Sequence, residues 1–85
     1  MKANLYSIFD SLAEVFNKPF TEHNNQTAQR AFTQAMQENP NRRDFYLYHV
    51  GEWNDAKGLV IPYDTPKKIA DCYGEELENN ITAVG

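Results

Sequence analysis

The stretch FYLYHVGEW, residues 45–53, decides the fold of this chain. It is rich in aromatic and branched side chains, which are typical of a β-strand. Successive side chains of a strand point to opposite faces. Strict alternation places Phe45, Leu47, His49, Gly51 and Trp53 on one face, and Tyr46, Tyr48, Val50 and Glu52 on the other. Because both faces carry large apolar groups, we expect this strand to lie in the centre of a sheet.

The segments around this strand supply its neighbours. Residues 54–58 form a loop of hairpin length that ends in glycine, and residues 59–61 are the predicted partner strand, which Pro62 ends. Near the N-terminus, residues 5–9 have strand composition, and residues 14–16 are predicted to be a short returning strand. The sequence thus predicts two pairs of strands.

A helix between the two pairs is indicated by apolar residues at the helical period. They are Ala28, Ala31, Phe32, Ala35 and Met36. Asn24, Asn25 and Thr27 are all acceptable N-caps, and the sequence does not choose among them. Residues 39–41, with a central proline, end the helix.

The order strand, strand, helix, strand, strand predicts an α+β domain. We expect a small antiparallel sheet of about four strands with one helix packed on a face, and we assign it to residues 1–63. Residues 64–85 are predicted to be an acidic C-terminal extension. A short helix is predicted over residues 65–73, whereas residues 75–85 have few groups to bury and are expected to be disordered or docked on a partner.

Length and composition exclude several classes of protein. The chain has 85 residues, 41% of them hydrophobic, and a single cysteine. It is therefore one small domain and neither a disulfide scaffold nor a Cys-rich zinc module. No apolar run approaches the ~20 residues that span a membrane, and the N-terminus has no signal-peptide pattern. We expect a soluble protein that makes no membrane contact.

The negative charge is concentrated near the C-terminus. The formal net charge is −4, from 12 acidic and 8 basic residues. Residues 1–63 carry seven acidic and six basic groups, whereas residues 64–85 carry five acidic and two basic groups. The overall balance argues against a simple basic nucleic-acid binder. The C-terminal extension nevertheless accounts for most of the net negative charge. We therefore interpret the charge of residues 1–63 and of residues 64–85 separately.

The chain offers little equipment for catalysis or for a metal site. His23 and His49 have no second ligand at metal-binding spacing, so we expect neither a metal nor a cofactor. The four glycines are scattered and form no phosphate-binding loop. Cys72 is expected to pack as a small apolar residue on the short C-terminal helix. No catalytic residue is assigned.

Basic and aromatic residues lie together at the start of the long strand. Arg42 and Arg43 precede Tyr46 and Tyr48. Cations that hold phosphate, beside rings that stack on bases, are the components of a single-strand binding surface. The pattern alone favours a simpler interpretation, in which the rings are core or surface residues and the arginines a solvated loop. Further basic residues that extend the patch, if the fold brings them near, are Arg30, Lys18 and Lys57.

The acidic extension also has two interpretations. The first is solubility. In the second, Glu75, Glu76 and Glu78 fold back on Arg42 and Arg43 and screen them until DNA or a partner displaces the extension. We rank the second interpretation below the first.

Three groups of motifs, in this order, resemble one known family. They are LYSIFDS (residues 5–11) followed by Ala13 and Pro19–Phe20, AQRAF (residues 28–32), and DFYLY (residues 44–48) followed by VGEWND (residues 50–55) and Gly58. Over residues 1–62 the chain resembles the small nonstructural protein of gokushovirus-type microviruses, which are tailless phages with single-stranded DNA genomes. It departs from that family in a shorter segment at residues 38–43 and in residues 63–85, which have no counterpart in the pattern.

The resemblance implies a protein of the infected bacterial cytoplasm that is not a component of the virion. It implies a role in viral genome replication, at the switch to single-strand synthesis and packaging, with DNA binding proposed for the family. It supplies no catalytic residues.

The first hypothesis is a non-enzymatic phage protein that binds single-stranded DNA weakly, as a homodimer that doubles the basic patch. Arg42 and Arg43 contact phosphate, Tyr46 and Tyr48 stack on bases, and Arg30 makes a secondary phosphate contact. The alternative is a protein-interaction module that binds a replication, capsid or host protein through the sheet edge or the acidic extension. A small enzyme is the third option and the least supported.

Overall fold

The computed structural model describes residues 2–72. These residues form an α+β domain, as predicted, with five strands and one α-helix. The elements are β1 (Lys2–Asp10), β2 (Val15–Phe16), β3 (Phe20–Glu22), α1 (Asn25–Met36), a short 3₁₀ helix (Arg42–Asp44), β4 (Phe45–Asn54) and β5 (Leu59–Asp71). The sequence predicted β3 only as an approach to the helix. The described residues contain no helix that is long and apolar enough to cross a membrane.

The sheet is antiparallel and β4 lies inside it, as predicted. Its order is β2-β1-β4-β5, and β3 pairs with the same side of β1 as β2. The outer strands β2 and β3 are short, so most of the sheet is the three-stranded unit β1-β4-β5. A central strand needs hydrogen-bonding partners on both sides, and β4 finds them in β1 and β5.

Helix α1 begins at a capping box that selects one of the three candidate N-caps. The Asn24 side chain accepts a hydrogen bond from the backbone N–H of Thr27 at 2.9 Å, and the Asn24 N–H donates to the Thr27 hydroxyl at 3.3 Å. Two N–H groups of the first turn are thereby satisfied. Ala28, Phe32 and Met36 are the buried face of the helix. Ala35, predicted on that face, is exposed.

The core lies between α1 and one face of the sheet. Its buried side chains are Tyr6, Ala28, Phe32, Met36, Leu47 and Cys72. Tyr6 is completely buried, and its hydroxyl donates to Asn25 Oδ1 at 2.7 Å, so the ring fills the core while the polar atom keeps a partner. Cys72 is buried as expected, but it follows β5 and does not lie on a helix.

The short helix predicted over residues 65–73 is wrong for residues 65–72, the part of it that the structure describes. Residues up to Asp71 belong to β5, and Lys67, Lys68 and Ala70 pair with β4. Ile69 and Ala70 also pack against the core. Helical propensity is a weak preference, and an open edge of β4 together with an apolar core outweighs it. Strand β5 therefore crosses the predicted boundary at residue 63, whereas residues 75–85 lie outside the described part of the chain.

A β-bulge at Val50 reverses the alternation of β4. Leu5 pairs with Gly51, but the next residue of β1, Tyr6, pairs with His49, so Val50 is an extra residue. Beyond this point Trp53 pairs with Ala3. The predicted assignment of Trp53 to the face of Phe45, Leu47 and His49 is therefore wrong. One extra residue moves every later side chain of a strand to the other face.

Candidate nucleic-acid interface

Helix α1 covers one face of the sheet, and the opposite face carries aromatic side chains. We call this surface the aromatic face; its members are Phe9, Phe16, Tyr46, Tyr48 and Trp53. Phe9 pairs with Phe16 on one side and Tyr46 on the other, and Tyr48 pairs with Ser7. Side chains of paired residues share a face, and residues 3, 7 and 9 of β1 lie on the same one.

Four of these rings form a cluster at one end of the face. The ring centroids of Phe9 and Phe16 are 4.7 Å apart. Tyr48 lies edge-on to both, at 6.1 Å from Phe9 and 5.4 Å from Phe16. Tyr46 stacks on Phe9 at 6.5 Å. Phe16 remains 46% exposed, so the cluster presents ring surface to solvent and does not form a second closed core.

Lys68 adds a cation to this cluster that the sequence analysis did not identify. Its Nζ lies 4.5 Å from the centre of the Tyr46 ring and 2.7 Å from Asp71 Oδ2. The hydrogen bond to Asp71 raises the pKa of the Lys68 ammonium, and nearby Tyr46 and Tyr48 act in the same direction. The sequence placed Lys68 on a helix. Only the long-range pairing of Lys68 with Tyr48 brings it to the rings.

The predicted arginine pair lies in the segment that immediately precedes β4. Arg42 and Arg43 are the first two of the three residues in the 3₁₀ helix. This helix leads directly into β4, which begins at Phe45. Arg42 is partly buried and donates through Nη1 to the Asn39 carbonyl at 3.5 Å, whereas Arg43 is exposed. The structure thus brings both arginines to the end of β4 that carries Tyr46.

The other predicted basic residues are dispersed. Arg30 is exposed on α1, so it lies on the opposite side of the sheet from Tyr46 and Tyr48. Lys57 is in the β4–β5 turn, separated from Arg43 by the whole of β4, about 33 Å at ~3.3 Å per residue. Lys18 lies in the exposed connection between β2 and β3, beside the edge of the aromatic face. A single basic patch that unites all five residues is therefore not present.

An apolar groove opens in the middle of the aromatic face. Its volume is about 250 Å³, and its lining is Ser7, Phe16, Asn17, Pro19, Val50 and Pro66. It coincides with the bulge, where residues 63–66 of β5 stand opposite the single residue Val50. The Ser7 hydroxyl is buried and donates to the Asn17 carbonyl at 2.7 Å. The groove therefore presents mainly apolar surface, which suits the face of a planar ring.

The helix-covered side of the sheet holds a polar cluster around His49. The imidazole stacks on the Tyr6 ring at 4.7 Å, and its Nε2 lies 3.4 Å from the Tyr63 hydroxyl, which also donates to Glu52 at 3.4 Å. Burial lowers the pKa of His49, and the Lys67 charge adds to this effect. Burial and the Glu52 carboxylate raise the pKa of the Tyr63 hydroxyl. Near neutral pH the cluster therefore holds a neutral imidazole.

A polar cleft of about 460 Å³ adjoins this cluster. It is lined by Asn4, Asn24, Asn25, Gln26 and His49. The lining is mostly amide, and much of it is committed to the fold: Asn24 caps α1, Asn25 accepts from Tyr6, and Asn4 donates to the His23 carbonyl at 2.8 Å. In residues 2–72, no three His, Cys, Asp or Glu side chains are placed to hold a metal ion.

The chain matches a known protein family over most of its length. Residues 3–74 match the family described as Phage ORF5 protein, which is most of the chain and extends beyond residue 62, where the motif resemblance ends. No curated protein and no solved structure is significantly similar to this chain.

Proposed function

The chain belongs to the Phage ORF5 protein family, and from this premise we propose that it is a nonstructural phage protein that binds single-stranded DNA. In this proposal it acts without enzymatic activity in the cytoplasm of the infected bacterium, during the replication and packaging of a gokushovirus-type genome. The observation that carries the proposal is the aromatic face, with Lys68 over the Tyr46 ring of its four-ring cluster and with Arg42 and Arg43 in the 3₁₀ helix that leads into β4.

The binding mode that we propose uses stacking more than charge. Every base has a π-face, so exposed rings bind single strands with little sequence preference, at about 1–3 kcal/mol per base. Tyr46, Tyr48 and Phe16 are the stacking residues of this proposal. A duplex hides its base faces, so we expect single-stranded DNA to bind more tightly than double-stranded DNA.

The charge of the domain fits weak and salt-sensitive binding. Residues 2–72 hold eight basic and nine acidic groups, a balance of −1. Three phosphate contacts, from Arg42, Arg43 and Lys68, correspond to a slope of roughly −2 in a plot of log affinity against log salt concentration. A homodimer would double the contacts per complex, which is why we include dimer formation in the proposal.

The test is a titration of fluorescently labelled oligothymidylate, followed by anisotropy over a salt series. We expect binding at low salt that weakens as salt is raised. Replacing Arg42 and Arg43 together with alanine should weaken binding about tenfold and reduce the slope by roughly 1.4. Arg30→Ala is the matched control, because Arg30 is exposed but lies on the other side of the sheet. Wild-type affinity of the double variant at low salt would contradict the assignment.

A second candidate function is a protein-interaction module, and one specific observation favours it. Leu59, Val60 and Ile61 are consecutive residues of β5 that are 54%, 55% and 39% exposed. Strand β5 ends the sheet on this side, and an edge strand can pair with a strand of another protein. The partner would be a replication, capsid or host protein.

The same titration separates the two functions. If no oligonucleotide binds at low salt, the interaction module becomes the better proposal. Replacing Val60 with lysine should then abolish capture of the protein partner, whereas Leu12→Lys, at an exposed apolar residue at the opposite end of the sheet from residues 59–61, should not. Sedimentation velocity on the wild-type chain tests the homodimer directly.

A further inference from the structure

The β-bulge at Val50 gives the aromatic face a second end. On β4, Tyr46 and Tyr48 precede the bulge and pair with Phe9 and Ser7. Trp53 follows the bulge and pairs with Ala3, on the same face of β1. Without the extra residue Trp53 would face α1. The bulge therefore places the only tryptophan of the chain on the surface that carries the four-ring cluster.

Trp53 lies outside the helix-covered core, between two neighbouring strands of this face. Its paired neighbours are Ala3 on β1 and Val60 on β5. Ala3 is small, and Val60 is 55% exposed. Trp53 itself is partly buried, and it is not among the core residues or among those that pack against the core. A large ring on the sheet face opposite α1 is suited to stacking.

An apolar groove and two lysines lie along the surface between the two ends. The apolar groove at Val50 and Pro66 lies between the four-ring cluster and Trp53. Lys18 is next to the groove residues Asn17 and Pro19, and Lys57 lies in the turn that follows Trp53. Lys57, which is remote from Arg42 and Arg43, thus has a place at the far end of the same surface.

We infer that Trp53 is a second base-stacking residue, and that a bound single strand follows β4 from Tyr46 across the groove to Trp53. This inference rests on the proposed function. The residues of β1 that pair with Tyr46 and Trp53 are Phe9 and Ala3, which are six residue steps apart. At ~3.3 Å per step this gives a path of about 20 Å. At the ~3.4 Å spacing of a stacked strand, this path covers about six steps and therefore about seven nucleotides. The groove receives a base between the two stacking ends.

The experiment uses the intrinsic fluorescence of Trp53 in the wild-type chain, titrated with oligothymidylates of increasing length. Excitation at the red edge of the spectrum avoids the tyrosines. We expect quenching, because a stacked base alters the excited state of the indole ring. Oligonucleotides much shorter than about seven nucleotides should bind the four-ring cluster and quench weakly, whereas longer ones should quench strongly.

Two variants complete the test, with affinity measured by the anisotropy of labelled DNA. Trp53→Ala should weaken the binding of long oligonucleotides roughly tenfold, and Trp53→Phe by less, because phenylalanine retains a ring. The matched control is Leu59→Ala, an exposed apolar residue of the same hairpin that pairs with Asn54 on the other face. Circular dichroism and thermal unfolding report whether each variant is folded.

The outcomes distinguish this inference from the proposed function. Anisotropy that shows binding without quenching, together with wild-type affinity of the folded Trp53→Ala variant, overturns the role of Trp53 and leaves the proposed function standing. An equal loss of DNA affinity in Trp53→Ala and Leu59→Ala would also overturn the role of Trp53, because the effect would then not be specific to the aromatic face. No binding of any oligonucleotide at low salt overturns both.

Discussion

Gly51 lies against the backbone of Ile61 so closely that a Cβ atom at Gly51 would be 2.5 Å from the Ile61 carbonyl oxygen. Real Cβ atoms essentially never come so near another heavy atom. Strands β4 and β5 meet here immediately after the bulge at Val50, where their register changes. Glycine at position 51 is therefore a condition for the close approach of β4 and β5 at the bulge.

Gly51→Ala should destabilise the domain by about 1–3 kcal/mol, because the added methyl group meets backbone atoms that cannot rotate away. Urea unfolding monitored by circular dichroism measures this change in the free energy of unfolding. The control is Gly58→Asn. Gly58 has a positive φ of 66° and open space around it, and asparagine tolerates that conformation. A Gly51→Ala variant as stable as Gly58→Asn would contradict the close approach.

Asn24→Ala should cost about 1 kcal/mol of stability, because the first turn of α1 loses the acceptor for the Thr27 N–H. Asn24→Ser should recover most of this loss, since serine is an equally good N-cap. Gln34→Ala, at an exposed position of the same helix, should change stability by less than about 0.5 kcal/mol. Thermal and urea unfolding measure the stability of the three variants. A loss of stability in Asn24→Ala no larger than that in Gln34→Ala would count against the capping box.

The stability of the domain should fall in mildly acidic solution partly because of His49. Its pKa is lowered in the folded state, mainly by burial and also by Lys67, although Glu52 and the Gly51 backbone act in the opposite direction. The unfolded chain, with a histidine pKa near 6.5, then binds the proton more readily than the folded chain. This contribution to stability is present above that value and is lost as the pH falls below it.

His49→Phe isolates the effect, since phenylalanine keeps a ring beside Tyr6 but does not titrate. The measurement is the free energy of unfolding of both proteins at several pH values between about 7 and 5. We expect the wild type to lose more stability than the variant over this range. Parallel curves would show that His49 makes no such contribution.

Asp71 should restrain DNA binding through its ion pair with Lys68. The two charges are 2.7 Å apart, and about half of the Lys68 side chain is exposed. Asp71→Asn removes a negative charge beside the cation, so affinity for oligothymidylate should rise about two- to fivefold at low salt. Lys68→Met should lower it by a similar factor. The anisotropy titration measures the affinity of both variants. Weaker DNA binding by Asp71→Asn than by the wild type would refute this role of Asp71.

Local patterns were sufficient for the main elements of the fold. The period of 3.6 from Ala28 to Met36 predicted α1, and the aromatic run 45–53 predicted the central strand. Both predictions are confirmed. Such patterns indicate apolar residues that must be buried, and this holds whichever segment packs against them. The α+β class followed from the order of these elements. The sequence also placed Arg42 and Arg43 beside Tyr46, since neighbours in the chain remain neighbours in space.

Long-range pairing decided the rest. The residues after Pro62 suited a short helix locally, but the free edge of β4 made them a strand and brought Lys68 to the ring of Tyr46. A glycine within a strand, such as Gly51, often indicates a bulge. The effect of the bulge on the side on which Trp53 lies depended on the pairing of β1 with β4. The sequence alone therefore determined which residues form helix and central strand. The tertiary structure decided which side chains share the open face, because register is fixed by pairing between distant segments.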